Sequence, residues 1–60
     1  MSISKTEEMV ETYLNGNISD FKKWLKKTSK SNVVMAVEIL NSLNPHGRTG
    51  SEIVYRLLNE

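Results

Sequence analysis

Between residues 33 and 43 the chain reads VVMAVEILNSL, and eight of these eleven side chains are apolar. Placed at about 100° per residue, they cover roughly 260° of a helix circumference, with only Glu38, Asn41 and Ser42 polar among them. A helix apolar nearly all round has to be surrounded. It is also too short for a bilayer, which takes about 20 apolar residues. The segment is therefore expected at the centre of a fold, with other elements closing around it.

Three further segments show helical spacing, and none alternates with period two as a half-buried strand does. Residues 5–15 carry Met9, Val10, Tyr13 and Leu14 on one face. Ser4 and Glu7 form a capping-box pattern at its start, and Asn15-Gly16 closes it. Residues 18–28 place Ile18, Phe21, Trp24 and Leu25 within about 120° of arc, with Asn17 or Ser19 as the cap. The apolar segment extends to a predicted helix over residues 32–43, capped by Ser31 and stopped ahead of Pro45. Residues 50–59 carry Ile53, Val54, Leu57 and Leu58 behind a second capping box, Thr49 with Glu52. There is no internal repeat and no low-complexity tract. The pattern predicts an all-α, compact four-helix single domain over residues 1–60, built around a central apolar helix.

Sixty residues support one domain at most, and a chain this short is marginally stable on its own. It has no cysteine, which removes disulfides and thiolate metal sites as staples. Its single histidine, His46, sits in a Pro/Gly loop, so no metal, no cofactor and no catalytic role are expected. Packing and self-association remain, and a homodimer is one expectation. Net charge is +1, from eight Lys and Arg against seven Asp and Glu. That balance by itself favours neither nucleic acid nor membrane. Met1-Ser-Ile-Ser-Lys has no apolar leader core, and the longest unbroken apolar run is residues 33–37. A cytoplasmic, non-enzymatic protein without a membrane segment is expected.

Charge distribution says more than net charge. Lys22, Lys23, Lys26 and Lys27, with Lys30 if the helix reaches it, lie almost opposite the apolar arc of the second helix. Like charges spaced i,i+4 cost a few tenths of a kcal/mol each, and a merely solubilising face usually mixes signs to avoid this. Such a face could contact successive phosphates or steer an acidic protein surface, or it could simply be solvated. Trp24 lies at the edge of the apolar arc, where a tryptophan is either core or a half-exposed interface anchor. The loop running from His46 to Ser51 could offer free N–H groups to an anion beside Arg48. However, Glu52 already complements the helix dipole there, and the loop lacks the ending of a phosphate-binding P-loop. Ordinary capping is the better account. Arg48 and Arg56 complete the set of candidate contact residues.

Residues 36–43 (AVEILNSL), followed by His46-Gly47 and residues 49–58 (TGSEIVYRLL), resemble the opening of a winged-helix regulator of the PadR type. The resemblance covers about a third of the chain. In that family these elements precede the helix that reads DNA, which would begin where this sequence reaches Glu60. No DNA-reading residue is therefore implied. The function expected from the sequence is docking of a helical surface onto a protein partner, as an inhibitor, adaptor or modulator. Non-specific nucleic-acid binding through the lysine face is the alternative, and a structural subunit of a homo-oligomer is the third.

Overall fold

A computed structural model describes residues 4–60; residues 1–3, part of the stretch scanned for a leader, lie outside it. Four helices follow in order: α1 (Lys5–Leu14), α2 (Ile18–Lys27), α3 (Lys30–Leu43) and α4 (Gly50–Leu58), with one 3-10 turn at Pro45–Gly47. No strand occurs among the described residues, so the fold is all-α as expected.

Local chemistry sets most of the helix ends. Ser4 Oγ accepts from the Glu7 N–H at 3.2 Å and donates to Glu7 Oε1 at 3.1 Å, opening α1. Gly16, at φ 100°, lets the chain leave α1, with the Asn17 N–H donating back to the Thr12 carbonyl. Of the two caps offered for α2, Asn17 is used: its Oδ1 accepts from the Asp20 N–H. Thr49 Oγ1 accepts from the Glu52 N–H at 3.1 Å, opening α4.

The third helix departs from expectation at its start. Ser29, not Ser31, is the cap, accepting from the Asn32 N–H, and the helix begins at Lys30. Asn32 then donates to Thr28 Oγ1 at 2.9 Å, tying the end of α2 to the start of α3. Lys30 consequently belongs to α3 and does not extend the lysine face of α2. The other three helices end one residue earlier than their apolar spacing suggests, because Asn15, Thr28 and Asn59 serve as C-caps.

In space α1 packs on α2 and α3, and α4 packs on α3 and α2, so each helix has two principal neighbours. The core takes residues from all four: Met9 and Val10, Phe21 and Leu25, Ala36 and Leu40, then Ile53, Val54 and Leu57. Tyr13 tilts against Phe21 at 5.2 Å between ring centroids, and Trp24 stacks on Phe21 at 6.0 Å. The radius of gyration, 10.4 Å, matches the ~10.4 Å scaling for a compact chain of this length.

The enclosure expected of the apolar helix is only partial. Ala36 and Leu40 are fully buried, while Val33, Val37 and Ile39 are half-buried. Val34, Met35 and Leu43 stay 51%, 42% and 54% exposed. Two neighbours cover only part of a cylinder, so apolar positions on the far side of α3 remain in water. Where α4 turns back along α3, the two backbones approach closely. A Cβ built on Gly50 would collide with the Val37 carbonyl oxygen. The Gly50 N–H donates to Asn41 Oδ1, joining the two helices at that point.

Candidate functional site

The eight residues singled out from the sequence do not form one site. On α2, Lys22 and Lys26 turn toward the end of the chain. Lys22 Nζ lies 3.5 Å from Glu60 Oε1, and Lys26 Nζ donates to the Glu60 main-chain oxygen at 3.4 Å. Lys23 and Lys27 remain exposed without an ion-pair partner among the described residues. Of the four lysines of this face, one meets a carboxylate, that of Glu60, 38 positions beyond Lys22. Trp24 is half-buried on the Phe21 ring, between the two roles the sequence allowed.

Arg48 and Arg56 have Glu60 as a neighbour in common with Lys22 and Lys26. They border a shallow hollow of about 240 Å³ with Tyr13, Ile18 and Glu60, where Ile18 of the expected apolar arc is itself exposed. The loop considered for an anion is largely satisfied from within. The N–H groups of Gly47, Arg48, Gly50, Glu52 and Ile53 donate to Asn44, Pro45, Asn41, Thr49 Oγ1 and the Thr49 carbonyl respectively. His46 is exposed, at φ 57° in the 3-10 turn. Capping accounts for this loop.

A groove of about 520 Å³ lies between α3 and α4, and of the contact residues expected from the sequence only Lys30 lines it. Its walls are Val33, Val34 and Val37 from α3 and Val54, Tyr55 and Leu58 from α4. Lys30 and Glu38 stand on the α3 rim, with Val34 midway between them in sequence. Tyr55 is 66% exposed, so its ring lies in water beside the groove. Of these walls Val34 and Tyr55 are exposed, Val33, Val37 and Leu58 are half-buried and Val54 belongs to the core, so the face offers another molecule a small apolar surface. A tyrosine adds the rigid, amphipathic contact area that interfaces favour. The signal for this site was present in the sequence. An apolar arc of roughly 260° on residues 33–43 is wider than a few single-stripe helices can cover.

A second, smaller hollow between α1 and α3 carries Leu14 and Leu43, both exposed, but Glu7 and Glu11 share its wall. No helix among the described residues is long and apolar enough to cross a membrane. Compared with protein-family models, curated proteins and solved structures, the chain matches none. The partial likeness to winged-helix regulators therefore stands without further support.

Proposed function

We propose that this protein is a non-enzymatic interaction module, an inhibitor, adaptor or modulator working in the cytoplasm, that docks its α3–α4 face onto a protein. The observation that carries the proposal is the apolar groove rimmed by Val34 and Tyr55, which the chain's own core leaves open. Phosphate binding by α2 is less well supported than its sequence suggested. Each phosphate neutralised contributes a slope of about −0.9 to the salt dependence, and strong non-specific binders make roughly 6–10 such contacts. Even with all four lysines counted, α2 falls short of that number, and the Glu60 carboxylate beside Lys22 opposes an anion there.

A photoreactive side chain placed at Tyr55 or at Lys23, in nuclease-treated host lysate, distinguishes the two surfaces. Docking through the groove gives a protein adduct from position 55 that disappears when Val34→Asp is added. Adducts from position 23 alone, composed of nucleic acid when nuclease is omitted, would overturn the proposal in favour of the lysine face.

A further inference from the structure

We infer that the occupant of the α3–α4 groove is a second copy of this chain, seated so that the two α3 helices run antiparallel about Val34. The inference rests on the α3–α4 face being a protein-docking surface and names what docks there. The rim of the groove reads Lys30, Val34, Glu38, at steps of four residues along α3. Four residues advance a helix by about 6 Å and carry it about 40° past a full turn. A positive end, an apolar centre and a negative end therefore follow one inclined ridge at equal spacing, with Lys30 and Glu38 each about 40° to either side of Val34.

Such a line is its own complement when reversed. Turn a second α3 end for end about a two-fold axis through Val34, and each Lys30 faces the partner's Glu38. The two Val34 side chains then meet at the axis. This is the isologous form that two-fold dimers require, in which one patch serves both subunits. Parallel pairing would instead set Lys30 against Lys30 and Glu38 against Glu38. Among the described residues neither Lys30 nor Glu38 has an ion-pair partner within the chain, so both charges are available to another molecule. Beside the axis, Val37 on α3 and Tyr55 and Leu58 on α4 provide apolar surface for the partner's Val34 and Tyr55.

Such a dimer would have to use far more than the groove itself. An ordinary interface takes ~800 Å² from each partner, about a fifth of this molecule's 4168 Å². That is a whole face of so small a protein, and the α3–α4 face carries both the groove and the most exposed aromatic ring, Tyr55.

Sedimentation equilibrium of the complete chain, from micromolar to millimolar concentration, tests the arrangement through charge reversal. Wild-type protein dimerises. Lys30→Glu and Glu38→Lys each weaken the dimer by roughly tenfold or more, since two like-charge pairs replace two attractive ones. The double variant recovers the wild-type constant, and an equimolar mixture of the two single variants forms a heterodimer as tight as wild type. Val34→Asp abolishes dimerisation while circular dichroism shows its helices intact. A wild-type chain that stays monomeric, or a dimer indifferent to both charge reversals, overturns the inference. If in that case the adduct at Tyr55 joins a different protein, the docking reading survives and only the identity of the partner falls. If no protein adduct forms at Tyr55 either, both fall.

Discussion

Replacing Gly50 by alanine adds one carbon where the backbones of α3 and α4 approach each other, and two opposing effects decide the outcome. Gly50 opens α4 without a left-handed φ, so alanine carries no conformational penalty there. Helix propensity alone would favour the change by up to about 1 kcal/mol. Against this, the new Cβ would collide with the Val37 carbonyl oxygen and stand 2.9 Å from its carbonyl carbon and 3.0 Å from the Asn41 nitrogen. All three are main-chain atoms of α3, which cannot swing aside as a flexible side chain would. Restoring ordinary van der Waals separation requires the helices to part by roughly 1 Å. Overpacking of this kind costs about 1–3 kcal/mol. Parting the helices also stretches the Gly50 N–H bond to Asn41 Oδ1, a further loss of about 1 kcal/mol. The net expectation is destabilisation by about 2 kcal/mol, a fall in Tm of roughly 8–16 °C for a domain of this size. Thermal unfolding followed by far-ultraviolet circular dichroism measures it. Protein concentration must be fixed, because the proposed dimerisation would make Tm concentration-dependent. A Gly50→Ala chain that melts at the wild-type temperature or above would refute the close crossing, since propensity would then be the only effect at work.

The remaining predictions separate core, surface and caps. Leu40→Ala, at a fully buried position of α3, should cost about 2–5 kcal/mol in urea unfolding. On the same helix, the exposed Val34→Ala should change the stability of the dilute monomer by less than about 0.5 kcal/mol. Thr49→Ala removes the hydroxyl that accepts from the Glu52 N–H, and should lower stability by about 1 kcal/mol in the same assay. Trp24, half-buried on Phe21, should show acrylamide quenching intermediate between a free tryptophan and a core one. Quenching equal to that of the free amino acid would place Trp24 fully in solvent.

Helix number, order and most caps were legible because they depend on neighbours within four residues. Ser4 with Glu7, Gly16, and Thr49 with Glu52 act in the structure where their spacing placed them. The start of α3 was missed because two serines two positions apart satisfy the same local rule. Thr28 favours Ser29 by taking a hydrogen bond from Asn32. The lysine face was legible as a face of α2, since azimuth is local, but its neighbours were not. Whether Lys22 and Lys26 are free depends on Glu60, which only the fold brings beside them. Gly50 was legible as a helix start, but a backbone approach to Val37 leaves no trace in periodicity.

The apolar segment of α3 is the instructive case, because its composition was read correctly and its setting was not. Periodicity reports that a side chain prefers to leave water; it does not report which molecule will cover it. Given four short helices in one chain, enclosure by the other three was the simplest supposition. The contacts instead give each helix two principal neighbours, so a rod apolar over roughly 260° has more apolar arc than its own chain can cover. A second copy relieves that excess without lengthening the chain. It also explains why Lys30 and Glu38 interrupt the exposed side at equal distances from Val34, where a buried rod would have no use for either charge. If the charge reversals behave as expected, the width of the apolar arc on residues 33–43 is the sequence record of an intermolecular neighbour. If the chain is monomeric and Tyr55 captures nothing, Val34 and Met35 are merely exposed apolar residues on a small fold with too few helices to cover them.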